Sequence, residues 1–206
     1  MGNWFHRNYD RMMGPLEKRV LGAMRRRLLS VAEGEVLELG AGTGANFAYY
    51  RSASRVTATE PETAMLAQAE IRAREAAVPV RLVQADATRL PFPDASFDTV
   101  VGTLVFCTIP DPAAALAEAW RVVKPGGKLL LLEHVRLRHP LLAKLQDWLT
   151  PAWMAVCDGC RLNRRTAELV HRTGFETLEE EERVGGLFVA VRAARPQHRS
   201  TSSTAT

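Results

Sequence analysis

A chain of 206 residues, 47% hydrophobic and 24% charged, has the size and balance of one globular domain with a proper core. Its longest apolar run, around residues 100–109, falls far short of the roughly 18 residues of a membrane span, and its first residues lack the apolar centre of a secretory signal. A cytoplasmic protein is therefore expected. Three cysteines exclude a disulfide framework, and a net charge of +4 is a mild excess, carried mostly by arginine.

Residues 1–32 read as a helical lead-in, or lid. Leu16, Val20, Met24 and Leu28 share one helical face, with Arg19, Arg25, Arg26 and Arg27 largely elsewhere. The segment 16–29 is expected to pack on the body of the domain; as a basic amphipathic helix it has a second reading, peripheral contact with an anionic membrane. Strand and helix signals then alternate: strand 35–40, short helix 46–51, strand 55–60, helix 62–77, strand 80–85, buried strand 97–105, helix 112–123 and strand 128–135. The Lys124-Pro125-Gly126-Gly127 sequence stops the last helix. This order predicts an α/β fold built on a parallel sheet. Helical segments 139–156 and 163–173 interrupt the alternation as an inserted cap, 136–173, over an acceptor. Strands 176–183 and 187–192 complete seven with a C-terminal antiparallel hairpin. A single domain is expected over 1–194, followed by a disordered tail, 195–206.

The strongest chemical signal is Val36-Leu37-Glu38-Leu39-Gly40-Ala41-Gly42-Thr43-Gly44. Alternate glycines after a strand allow unusual dihedrals and the close approach of a ligand, and the start of a following helix offers free N–H groups to a carboxylate. Such a turn is common to many nucleotide-binding folds. Its company is more specific. Glu60, ending the second strand about 20 residues on, suits two ribose hydroxyls. Asp86, ending the third strand, suits an adenine amino group, and Glu38 suits the ammonium of a methionine moiety. Three acids surround a cofactor without phosphates. A short-chain dehydrogenase would need a tyrosine with a lysine four residues later. The tyrosines are Tyr9, Tyr49 and Tyr50, and Met13, Ala53 and Ser54 stand four residues on, so that reading fails.

The run Leu90-Pro91-Phe92-Pro93-Asp94-Ala95-Ser96-Phe97-Asp98 and the later Glu118-Ala119-Trp120-Arg121-Val122-Val123-Lys124-Pro125-Gly126-Gly127 resemble the class I S-adenosylmethionine methyltransferases, in that family's order and over nearly the whole chain. The resemblance implies a Rossmann-like fold and S-adenosylmethionine as cofactor, with S-adenosylhomocysteine as product. It implies a cofactor site of Glu38, Gly40, Ala41, Gly42, Thr43, Gly44, Asn46, Glu60, Pro61, Asp86, Ala87, Thr103 and Leu104, with Tyr9 as a lid.

On the acceptor side, Val101-Gly102-Thr103-Leu104-Val105-Phe106-Cys107 offers no carboxylate, and the Asn-Pro-Pro signature of base and amide methylation is absent. Thiols, with a pKa of about 8.5, need little activation. The segments Leu131-Leu132-Glu133-His134-Val135 and Cys157-Asp158-Gly159-Cys160 resemble the alkyl-thiol S-methyltransferases of animal microsomes. Those relatives begin with an apolar membrane leader and this chain starts directly on the lead-in, so membrane residence does not come with the resemblance. A small lipophilic thiol is the first acceptor expected; a phospholipid ethanolamine or a quinone ring is the alternative. Phe106, Cys107, Trp148, Trp153, Asp158 and Cys160 are the candidate acceptor contacts, with core packing the plainer reading for both tryptophans. His134 is either a catalytic base or thiolate partner, or a structural histidine. Cys157 and Cys160 look like a zinc half-site lacking its second half, so a structural turn and no metal are expected. Basic residues are not interleaved with aromatic platforms, which argues against nucleic acid.

Overall fold

The structure, a computed structural model, describes residues 11, 13–157 and 159–197. Among these run seven strands: β1 (Glu33–Leu39), β2 (Ser52–Thr59), β3 (Val80–Val83), β4 (Phe97–Thr103), β5 (Val123–His134), β6 (Glu176–Arg183) and β7 (Phe188–Ala194). They form one sheet in the order β3-β2-β1-β4-β5-β7-β6. β1 to β5 pair in parallel, and β7 runs antiparallel to both β5 and β6, so the α/β sheet with a terminal hairpin is as expected. The connections carry α1 (Gly22–Leu29), preceded by a π-helical stretch Glu17–Leu21, then α2 (Thr63–Glu75), α3 (Pro112–Val122), α4 (Pro140–Val156) and α5 (Thr166–Arg172). Strand order reverses between β1 and β4, and ligands of open α/β sheets bind at the carboxyl ends of the strands flanking such a reversal.

Period-two alternation in β5 fills both faces of the sheet. Leu129 and Leu131 join Leu116, Ala119 and Phe175 on one side; Leu130 and Leu132 join Met24 and Leu28 on the other. Burying each such leucine contributes about 1.5–3 kcal/mol. The apolar face of the lead-in is thereby spent on the sheet: Leu21, Met24, Leu28 and Leu29 are all buried. Two of the motifs that carry the family resemblance turn out to clasp each other. The Leu90 amide donates to Glu118 Oε2, and Arg121 donates to the carbonyls of Leu90 and Phe92 and to the carboxylate of Asp94.

Four details differ from expectation. The helix expected over 46–51 is a single 3-10 turn, Phe47–Tyr49, because β2 already begins at Ser52 and leaves no length for an α-helix. β5 begins at Val123, paired with Phe97, and absorbs the Lys124–Gly127 irregularity through a register shift. The expected tail is fixed at its first residue: Arg195 Nη1 donates to the carbonyls of Trp120 and Val123, with the guanidinium 5.0 Å from the centre of the Trp120 ring. Residues 198–206 lie outside the described residues.

The fourth concerns α4, whose amphipathy faces outward. Leu141, Leu145, Trp148 and Val156 are exposed, while Ala143, Gln146 and Thr150 are buried. Hydrogen bonds place that polar edge inward. Gln146 accepts from the Leu137 amide and donates to the carbonyls of Val135 and Leu162, while Asp147 pairs with Arg136. Among the described residues no helix is long and apolar enough to cross a membrane.

Docking of the lead-in on the sheet predicts that Leu28→Ala destabilises the protein by about 2–5 kcal/mol in urea unfolding, as for other buried leucines. A helix held mainly on a membrane surface would leave the unfolding midpoint of the lipid-free protein unchanged.

Candidate active site

β1 delivers the glycine turn to the carboxyl edge of the sheet. Gly40, Gly42 and Gly44 all adopt positive φ, at 61°, 56° and 82°. A Cβ on Gly40 would stand 2.2 Å from Val105 Cγ2, and one on Gly44 would stand 2.6 Å from the Phe47 ring. The turn is held by the Ala41 amide on the Thr59 carbonyl and by Arg72, which donates to the backbone and hydroxyl oxygens of Thr43. Ala41 and Thr43 are themselves buried. A cavity of about 360 Å³ lies beside the turn, bordered by Gly44, Ala45, Tyr49, Arg72, Glu17 and Arg25.

Below the turn sits a buried polar network. Glu38 accepts from Asn46 Nδ2 at 2.9 Å and from the Tyr50 hydroxyl at 2.7 Å. Asn46 also donates to Thr103 Oγ1 at 2.9 Å, and Arg25 Nη1 donates to Asn46 Oδ1 at 2.6 Å and to Thr103 at 2.5 Å. Glu38, Asn46 and Thr103 were expected at the site; Arg25 and Tyr50 were not. Arg25 stands in a run of three arginines, and hydrophobic periodicity gives no reason to turn one of them inward. Tyr50 follows the turn without any motif of its own. Glu38 is 1% exposed, so it acts beneath the turn instead of standing open to a ligand ammonium. Burial raises its pKa from 4.5 to about 7, against the opposing hydrogen bonds from Tyr50 and Asn46.

Glu60, just past β2, accepts the Gly42 amide on Oε2 at 2.9 Å and the Glu62 amide on Oε1 at 3.1 Å. It thus joins the glycine turn to the start of α2. Pro61 is exposed beside it, its carbonyl accepting from Gln84. β3 ends at Val83, so Asp86 lies in the following loop; it is exposed, and its Oδ1 accepts from the amide and hydroxyl of Thr88. Ala87 packs into the core. Tyr9 and Asp158 lie outside the described residues.

At the acceptor end, Leu104 takes a positive φ of 54° and its amide donates to the Leu132 carbonyl, turning the chain sharply after β4. Glu133 Oε1 accepts from the amides of Val105 and Phe106, fixing that turn, and burial raises the Glu133 pKa to about 7. Phe106 is fully buried in the core and therefore does not reach an acceptor. Trp148 is 76% exposed on the outer face of α4, directed away from the core. Trp153, near the end of α4, is 43% exposed, and its nearness adds to the lowering of the Cys160 pKa. His134 Nε2 lies 2.9 Å from Cys160 Sγ, and Cys107 Sγ completes a cluster whose donor atoms all fall within 4.8 Å of one another. Hydrogen bonds from Cys107 and then His134 lower the Cys160 pKa, and the Cys160 contact holds His134 above its usual value despite burial. Cys157 is buried outside this cluster; its carbonyl accepts from the Cys160 amide in a turn through Gly159.

Residues 37–131 match the methyltransferase domain family. The chain is 31% identical over 182 residues to thiol S-methyltransferase TMT1B of Homo sapiens, covering 82% of this chain and 75% of that protein. It is 35% identical over 150 residues to the Rattus norvegicus protein of the same name, covering 71% of this chain and 62% of that one. The chain belongs to the S-adenosylmethionine-dependent methyltransferases. It spans about six-tenths of the length of the rat relative. In fold it is similar to a Thermotoga maritima methyltransferase structure described as a possible histamine N-methyltransferase, with a TM-score of 0.68, 23% identity and coverage of 95% and 100% of the two chains.

S-adenosylmethionine is the methyl donor this membership implies, and the residues present fit it. Gly40 and Gly44 are packed against the chain's own Val105 and Phe47, while at Gly42 a Cβ would meet nothing nearer than Met65 Cε at 3.9 Å, so bare backbone is open there. Glu60 accepts the Gly42 and Glu62 amides on its two oxygens, which fixes a carboxylate, the acceptor type that ribose hydroxyls need, beside the glycine turn. For this methyltransferase we expect Glu60→Ala to weaken cofactor binding at least tenfold, about 1.4 kcal/mol, in calorimetry. Unchanged affinity would remove Glu60 from the ribose site.

The raised pKa of Glu38 has a stability consequence. The folded protein holds this proton more tightly than the unfolded chain, so the associated stability is complete below pH 4.5 and is lost as pH rises through about 7. In cofactor-free protein, wild type should lose about 3 kcal/mol relative to Glu38→Gln across that window. Parallel pH–stability curves for the two proteins would contradict the assignment.

Proposed function

We propose that this methyltransferase transfers the sulfonium methyl group to the sulfur of a small lipophilic thiol. The observation that carries the reading is the Cys107, His134 and Cys160 cluster at the carboxyl ends of β4 and β5. Glu133, the carboxylate nearest to it in sequence, is turned onto the backbone amides after β4. The side chains assembled at this edge are therefore soft and weakly basic. They suit a nucleophile that needs only partial help in losing its proton, unlike an amine or a carbon centre. The human and rat relatives are thiol S-methyltransferases, which supports the same acceptor class.

Bound S-adenosylmethionine supplies an electrophilic methyl group on a positively charged sulfur. A thiolate held beside it would take that methyl group, the sulfonium C–S bonding pair staying with the thioether. The protein's part is positioning and dehydration. The bare turn and Glu60 seat the cofactor, while Arg25, Asn46 and Thr103 tie the turn to the end of β4. Glu133 holds the segment that follows, and His134, at the end of β5, stands in the cluster where an acceptor sulfur would be met.

A radiolabelled methyl-transfer screen tests the proposal on one purified sample with alkane thiols, phosphatidylethanolamine vesicles and a demethylquinone. Label should pass to the thiol and be reduced at least tenfold in His134→Ala. Transfer to the lipid amine or the quinone with none to thiols overturns the thiol reading.

A further inference from the structure

β4 and β5 are neighbours in parallel register, Thr103 opposite Leu132. Cys107 follows Thr103 by one tight turn and His134 ends β5, so the sheet brings the two to one edge. The Cys160 loop is pinned against them, since the Arg161 amide donates to the Cys107 carbonyl at 2.9 Å. Three metal-ligating side chains from three separate segments thus converge on one point. Apart from one another they have few partners: Cys107 Sγ contacts the Leu104 carbonyl at 3.4 Å, and His134 Nδ1 is buried with no hydrogen-bond partner. The structural turn without metal expected at Cys157 and Cys160 rested on the wrong pair: Cys160 meets Cys107 and His134 from the sheet, and Cys157 stays outside.

We infer that Cys107, His134 and Cys160 form a three-ligand site for a soft divalent metal, best matched by zinc, whose fourth position receives the acceptor thiol. Two sulfurs and one imidazole nitrogen are a zinc donor set, and three protein ligands with one position left open is the pattern of a reactive site, not a structural one. With tetrahedral bond lengths the donor atoms should stand about 3.6–3.8 Å apart. The observed cluster, all within 4.8 Å, meets this after small side-chain rotations that open the 2.9 Å contact between His134 and Cys160. Cys107 is buried and Cys160 half-buried, so the cluster is closed on the core side and reachable from the other. Binding at the open position would draw the proton from the acceptor thiol to solvent, leaving a metal-held thiolate as the nucleophile.

The fourth-ligand role rests on the thiol reading above; the metal site itself does not. Both can be read without turnover by loading the full chain with cobalt(II) and recording its spectrum. Wild type should show sulfur-to-cobalt charge transfer and the intense visible bands of a tetrahedral ion, and should bind zinc at least about a hundredfold more tightly than Cys107→Ser or Cys160→Ser. Cys157→Ser should match wild type, which guards against a general folding defect. Adding an alkane thiol should shift the cobalt bands. Wild-type zinc affinity no better than that of Cys160→Ser overturns the site, as does a Cys107–Cys160 disulfide in the protein as purified. Cobalt bands that ignore the thiol overturn the fourth-ligand role. The transfer screen judges the thiol acceptor separately: thiol methylation by metal-stripped protein at the wild-type rate would sink the metal's role and leave the acceptor standing.

Discussion

The buried carboxylate of Glu38 is the constraint around which the cofactor half of the protein is arranged. A carboxylate at 1% exposure is costly unless its oxygens are satisfied. Asn46 and Tyr50 satisfy them, and both come from the segment immediately after the glycine turn. The backbone that must approach the ligand is thus tied down from beneath. Arg25 extends the network to the lead-in and Thr103 extends it to β4, so three parts of the chain distant in sequence share one set of hydrogen bonds. Glu60 holds the same turn from the β2 side.

The acceptor half follows a parallel logic. Glu133 is buried, bonds backbone amides, and fixes the turn that carries Cys107, much as Glu38 fixes the turn after β1. Each of these two acids is the penultimate residue of a central strand, and each organises the loop that reaches the reaction edge. The cap helix α4 is held differently. Its buried edge is polar and is tethered by Gln146 and Asp147, which leaves its leucines and tryptophans outside. The residues that give it a strong apolar stripe are thus not the ones that hold it to the domain.

This inversion shows where reading the sequence fails on physical grounds. Hydrophobic periodicity reports that a helix has an apolar face and is silent about which way the face points. In α1 the face turned inward onto β5; in α4 it turned outward. The same limit hid Arg25, a charged residue in a basic run that the fold buries by giving it Asn46, Thr103 and Glu17 as partners. The 46–51 segment failed for a simpler reason, since too few residues remained before β2 for a helix.

The sequence by itself determined the alternation of strands and helices, the glycine turn, and the acids at 38, 60 and 86, because local dihedral demands and periodicity are written in neighbouring residues. It also carried the family, through motifs that the structure shows to be mutual clasps between 90–94 and 118–121. Only the tertiary structure decided which side chains meet. Cys107, His134 and Cys160 stand some 26 residues apart along the chain, and what joins them is the pairing of β4 with β5 and one backbone bond to the cap loop. Spacing pointed to Cys157 as the partner of Cys160, but the sheet supplied Cys107, because strand register sets distance in space where sequence separation cannot.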